Sequence, residues 1–179
     1  GRLAPRYRQT GPSTLAGVRY ERGHFRGKRY GRIIPIEFNR GCRFRCDFCS
    51  VSEFHQGHFR SRPVAEVVQE IEDAGARTVL FVDDNFLCDK ARTVELCQAL
   101  VPLGIRFGCQ ISLDVARDEA LLDLLARAGG AVALIGLESL DAENLKQMSK
   151  GQNRGARYVD DIAKLKDRGI MVYGSFVFG

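Results

Sequence analysis

The sequence predicts an α/β fold, a partial (β/α) barrel of parallel strands, and three observations carry that prediction. Short apolar runs of strand length alternate with longer amphipathic stretches of helical period. The helical stretches open at capping residues and close at glycines. Cysteines and polar residues follow directly after the apolar runs, where right-handed crossovers gather the C-terminal ends of parallel strands on one edge.

Taken in order, residues 1–32 are rich in Arg, Gly, Tyr and Pro without a sustained period, which reads as an irregular basic lead-in, a linker from a preceding domain. The core domain is expected over 33–179. Its strands are expected at 33–38, 78–82, 106–111, 131–137 and 171–178. Pro63 stands in the first turn of a helix that buries Val64, Val67, Val68 and Ile71 and closes at Gly75. Asp89 caps the next, which buries Val94, Cys97 and Val101 before Pro102-Leu103-Gly104. Asp118 caps a third with Leu121, Leu122, Leu125 and Ala128 on one side. A broken helical region, 142–148 and then 157–168, leads through Gly169 into the last strand.

The 179 residues are 45% hydrophobic, enough for one domain with a core. The net charge of +5 is uneven. Residues 1–32 hold nine Lys or Arg against Glu21 alone, giving +8 and leaving −3 for the rest. A basic arm suits nucleic acid, an acidic neighbouring domain or plain solvation. No apolar run approaches the roughly 18 residues of a membrane span, and no leader opens the chain. The six cysteines then point to a reducing, cytoplasmic setting. A start on Gly1 and a stop at Gly179 inside a strand-like run suggest a fragment of a longer protein.

Chemistry concentrates in Gly41-Cys42-Arg43-Phe44-Arg45-Cys46-Asp47-Phe48-Cys49. Three thiolates at C-x3-C-x2-C suit an iron–sulfur cluster, and a [4Fe-4S] cube held by three protein ligands keeps one iron free. Structural zinc wants four ligands in paired knuckles; no second knuckle follows, although His55 and His58 lie near enough to offer one more. The other strand ends supply Asp83-Asp84-Asn85, then Gln110, Ser112 and Asp114, then Gly136-Leu137-Glu138-Ser139, then Gly174-Ser175-Phe176-Val177-Phe178-Gly179. Asp and Asn also favour turns and caps. Glu138 closes an almost wholly apolar strand, where a charge is expensive to bury unless paired. The glycine-bearing last run would let a flat ring pack closely.

These residues resemble the radical S-adenosylmethionine (radical SAM) superfamily from about Ile33 to Gly179, and the three cysteines with Phe48 before the last are its most specific mark. The resemblance implies a TIM-like core, here about five of six β/α units. Cys42, Cys46 and Cys49 would hold the cluster, with S-adenosyl-L-methionine on the fourth iron. Asp83-Asp84-Asn85 stands where the family usually has Gly-Gly-Glu, the segment that receives the methionine amine. Ser112, Glu138 and Ser139 fall at polar positions facing the cofactor, Lys150 at a basic position for its carboxylate, and Val177 within the element near adenine, where Ser175 replaces a glycine. The implied reaction is reductive cleavage to a 5′-deoxyadenosyl radical that abstracts hydrogen from substrate. Arg40-Gly41-Cys42, Phe81-Val82-Asp83-Asp84-Asn85-Phe86 and Ile135-Gly136-Leu137-Glu138-Ser139-Leu140 are similar to members that carry a cobalamin-binding domain ahead of the core, many of them methyltransferases. Such members act on a small molecule or lipid and take electrons from a donor such as flavodoxin or ferredoxin. Two alternatives stand beside this reading: a radical methylthiotransferase or tRNA-modifying enzyme, for which the basic arm is the local support, and a non-enzymatic iron–sulfur or zinc module. Cys88, Cys97 and Cys109 read as buried thiols, Tyr173 and Phe107 as packing, and His24, His55 and His58 as loop residues.

Overall fold

The computed structural model of the chain describes Gly27 and residues 33–178. The remainder of the basic lead-in, His24 included, lies outside the described residues. Five strands, β1 (Ile33–Ile36), β4 (Thr78–Phe81), β5 (Arg106–Gln110), β6 (Gly130–Glu138) and β7 (Met171–Phe176), form one sheet in the order β1-β4-β5-β6-β7. Every pairing in it is parallel. The sheet is the open arc of a barrel, and among the described residues it does not close. The crossovers carry α2 (Val64–Asp73), α3 (Lys90–Leu100), α4 (Glu119–Arg127), α5 (Ala142–Gln147) and α6 (Tyr158–Asp167). No helix among the described residues is long and apolar enough to cross a membrane.

Alternation along the strands decides which face the helices cover. Val79 and Phe81, Phe107 and Cys109, and Ala133, Ile135 and Leu137 are buried in one cluster with Val67, Ile71, Leu96, Leu100, Leu122 and Leu125 of the helices. Phe81, Phe86 and Phe107 meet at the centre, with Phe81 edge-on to Phe107 at 5.2 Å between centroids, the favoured aromatic geometry. The intervening residues Leu80, Val82 and Gln110 are exposed on the opposite, uncovered side. The predicted caps form: Asp89 accepts the Arg92 backbone N–H at 3.1 Å and Asp118 that of Leu121 at 3.2 Å.

Three expectations are corrected. Val101 is exposed, because α3 ends at Leu100 and Val101 opens a 3-10 turn that leaves the 3.6-residue period; Thr93, Leu96, Cys97 and Leu100 make the buried face instead. Tyr173 does not pack: among the described residues β7 pairs with β6 alone, and Tyr173 is 67% exposed. His55 lies in a helix, α1 (Ser50–His55), rather than a loop. A two-stranded antiparallel ladder of β2 (Asn39–Gly41) and β3 (Phe59–Ser61) also brackets the cysteine loop; three-residue strands carry no period readable in the sequence.

Candidate functional site

The cysteine loop leaves β2 at Gly41, whose φ of +84° lies in the left-handed region and whose missing Cβ would stand 2.2 Å from the His58 carbonyl oxygen. Only glycine fits both conditions. The entrance is held from the end of β4. Asp83 is buried and accepts the backbone N–H groups of Phe38 (2.8 Å) and Asn39 (2.9 Å), and Asp84 accepts that of Gly41 (2.8 Å). Both residues therefore orient the strand-to-loop backbone. Burial pushes the Asp83 carboxyl up to about 7, against the pull of its two N–H donors.

Cys42, Cys46 and Cys49 are all free thiols. Asn85 points its side-chain amide at Cys42 Sγ (3.6 Å) and at Ser112 Oγ (3.1 Å), while its Oδ1 accepts the Leu87 backbone N–H. Gln152, which the sequence reading did not single out, donates from Nε2 to Cys46 Sγ at 3.6 Å. Cys88 is buried beside Cys42, with its S–H within reach of both that sulfur and the Gly41 carbonyl oxygen (3.1 Å). Donation from Cys88, with lesser help from the Phe44 backbone and Asn85, lowers the Cys42 thiol to about 6 in spite of burial. The same contact raises Cys88. Burial raises Cys46, partly offset by Gln152, and alone lifts Cys97 to about 12.

Two further elements tie the loop down. Arg43 reaches Asp114 at 2.7 Å, and the Asp47 backbone N–H donates to the Met148 carbonyl while Ser149 Oγ donates to the Asp47 carboxylate (2.7 Å). Ser149 adopts φ +53°, turning the chain so that Lys150 points inward. Lys150 Nζ then meets Glu138 Oε1 at 2.7 Å, with both side chains about nine-tenths buried. Glu138 itself sits at φ +67°, a costly conformation for a non-glycine residue that aims its carboxylate back across β6. Gly136 makes room: a Cβ there would lie 2.2 Å from the Glu138 carboxylate and 2.9 Å from Lys150 Nζ. The Lys150 ammonium also lies 5.5 Å from the centre of the exposed Phe48 ring.

Asp83 and Asp84 bind the backbone at the loop entrance, and two centres gather other predicted residues. Cys42, Cys46, Cys49, Asn85 and Ser112 are linked around the loop, and Glu138, Lys150 and Phe48 form a second centre joined to it through residues 148–152. Ser139 spends its Oγ on capping the Asp141 N–H. Val177 is exposed and donates its backbone N–H to the Glu138 carbonyl (3.0 Å). The space at Gly174, expected to receive a flat ring, is taken by Leu137, 2.8 Å from where a Cβ would be. Of the histidines weighed as a further metal ligand, His55 stands 3.8 Å from Asp84 and His58 Nδ1 lies 3.2 Å from the His55 carbonyl. Among the described residues no three His, Cys, Asp or Glu side chains are gathered around a single-ion point. The all-sulfur donor set, with amide N–H groups directed at two of the sulfurs, fits an iron–sulfur cluster.

Fold and site together define a parallel α/β domain that presents a loop of three free thiols at the C-terminal edge of its sheet. The family model of the Radical SAM superfamily matches residues 36–179, and the chain belongs to that superfamily. It is similar to the bacteriochlorophyllide d C-12(1)-methyltransferase of Chlorobaculum tepidum, 32% identical over 158 residues, or 85% of this chain and 35% of that protein. It is 33% identical to the anaerobic magnesium-protoporphyrin IX monomethyl ester cyclase of Rubrivivax gelatinosus over 83% of this chain and 28% of that one. The chain therefore spans about a third of the length of these relatives. The structure of the radical S-adenosylmethionine methyltransferase TsrM from Kitasatospora setae, with cobalamin and a [4Fe-4S] cluster bound, superposes with a TM-score of 0.68 at 22% identity, covering 82% of this chain and 31% of that one. At that identity the likeness establishes the fold.

Proposed function

We propose that this chain is the core of a radical SAM enzyme, and that the whole protein uses a [4Fe-4S] cluster, S-adenosylmethionine and cobalamin to methylate or otherwise remodel a small molecule or lipid. The observation that carries the reading is the C-x3-C-x2-C loop, with its three free thiols, seated at the sheet edge between Asn85 and Gln152. When bound, the cluster supplies an electron and S-adenosylmethionine supplies an alkyl radical or a methyl group.

The chain's own residues then have separate tasks. Cys42, Cys46 and Cys49 ligate iron. Asp83 and Asp84 hold the loop entrance, and Asn85 and Ser112 would offer polar atoms to a cofactor bound at the loop. Glu138 and Lys150 neutralise one another without a cofactor; ribose hydroxyls and a carboxylate are the groups each would meet in exchange, with Phe48 alongside. The likeness to a bacteriochlorophyllide methyltransferase and a protoporphyrin ester cyclase supports a small conjugated substrate over nucleic acid. The reading also requires an electron donor of the flavodoxin or ferredoxin kind and a reducing compartment such as the cytoplasm, where the thiols stay available.

Anaerobic reconstitution of the full-length protein tests this. The expected result is about four irons per chain and reductive cleavage of S-adenosylmethionine to 5′-deoxyadenosine, with methyl transfer from labelled cofactor once cobalamin is present. A protein that takes up a single zinc and no iron overturns the reading.

A further inference from the structure

We propose that Gln152 is a positioning residue for the cluster: its side-chain amide, donated to the Cys46 sulfur, sets how readily a bound cluster accepts an electron. This rests on the cluster reading above. Three features of the fold point to it.

First, the contact is built rather than incidental. The Arg117 guanidinium holds the Gln152 backbone carbonyl at 2.9 Å. The next residue, Asn153, is buried and donates to the carbonyls of Gly136 (2.9 Å) and Leu137 (3.0 Å) and to the Tyr158 hydroxyl (3.0 Å). Gln152 is thus fixed on both sides, and its half-buried amide reaches Cys46 from 106 residues away in sequence. Second, Cys46 is the buried thiol of the three, so a donor aimed at its sulfur acts in a low-dielectric setting where hydrogen bonds weigh more. Third, the arrangement is repeated. Asn85 delivers an amide N–H to Cys42 at the same 3.6 Å from a different strand end.

The direction follows from charge. Reduction adds one electron, and one unit of negative charge, to the iron–thiolate assembly. An N–H donor at a thiolate sulfur stabilises the more negative state and raises the potential, as hydrogen bonds to cluster sulfurs do. That bond exists in both oxidation states and is stronger in the reduced one, so losing it is expected to lower the ratio of reduced to oxidised cluster at a fixed poise by at most about fivefold, which at 59 mV per tenfold for one electron is a fall of at most about 40 mV.

Gln152 is the better of the two donors to test, because Asn85 also supports the Leu87 backbone and the Ser112 hydroxyl. The full-length protein and its Gln152→Met and Gln152→Glu variants are reconstituted anaerobically, assayed for iron and sulfide, and titrated with dithionite and mediators while electron paramagnetic resonance reads the reduced cluster. Both variants are expected to keep the wild-type iron content. Gln152→Met is expected to lower the reduced-to-oxidised ratio by up to that factor, and Gln152→Glu at least as far, since it adds a negative charge. Equal potentials in three cluster-loaded proteins overturn the assignment of Gln152 while leaving the cluster reading intact. Loss of iron from both variants also overturns it, in favour of a purely structural contact. A wild-type protein that builds no cluster overturns the reading beneath.

Discussion

Replacing Lys150 by Met removes the cation from a pair that the fold encloses almost completely. Nζ and the Glu138 oxygen are 2.7 Å apart, and each side chain is only about a tenth exposed. At the effective dielectric of about 20 suited to such sites, that separation corresponds to roughly 6 kcal/mol of attraction. Much of it offsets the desolvation of two charges, so the pair's net contribution is small, but the cost of breaking it is not. Lys150→Met leaves an uncompensated carboxylate beside Gly136 on a strand end already held at φ +67°. The expected loss of unfolding free energy is about 3–5 kcal/mol. Urea denaturation of the cofactor-free protein measures it. The double variant Glu138→Gln/Lys150→Met, which removes both charges, is expected to recover about 2 kcal/mol of that loss, a coupling typical of touching residues. A single variant within about 1 kcal/mol of wild type, or strictly additive behaviour, would refute the argument that this pair is closed off from water.

Other consequences are equally direct. Cys46→Ala takes away one of the three thiols proposed to ligate iron and is expected to abolish stable cluster binding; a full complement of iron and sulfide in the variant would mean that the ligand is misassigned. Asp83 has its carboxyl raised from the ordinary 3.8 to about 7 by burial, so the folded state holds its proton longer than the unfolded chain does. Its stabilisation is then complete below about pH 4 and lost as pH rises through 7, on the order of 4 kcal/mol at about 1.4 kcal/mol per pH unit. Denaturation midpoints of wild type and Asp83→Asn between pH 4 and 8 check this, and an unchanged slope in the variant would count against it. Gly41→Ala must place a Cβ 2.2 Å from the His58 carbonyl oxygen at a positive φ. A loss of at least 1–3 kcal/mol, about the cost of the strained backbone alone, is expected, with weakened cluster retention; a neutral variant in both assays would show that the β2–β3 ladder gives way easily.

Much of this protein is legible locally. Strand and helix identity, the Asp89 and Asp118 caps and the cysteine spacing are written in periods and neighbours a few residues long, and those features appear where the sequence places them. The glutamate at the end of an apolar strand could be singled out because a buried charge demands a partner. Its partner could not be read with the same security: Lys150 turns inward only because Ser149 adopts a left-handed conformation and Gly136 leaves the space. Asp83 and Asp84 stand at a strand end in the sequence, and the parallel pairing of β1 with β4 brings them under the backbone N–H groups of Phe38, Asn39 and Gly41.

By itself, then, the sequence determined the parallel α/β class, the strand-end edge and the three thiols of the cysteine loop, because each depends on short-range period or spacing. Tertiary structure alone decided which groups surround those thiols. Gln152 lies 106 residues from Cys46, and Asn85 lies 43 from Cys42. No local propensity encodes such distances; they are fixed by sheet register, and by the loop of residues 148–152 folding back over the cysteines.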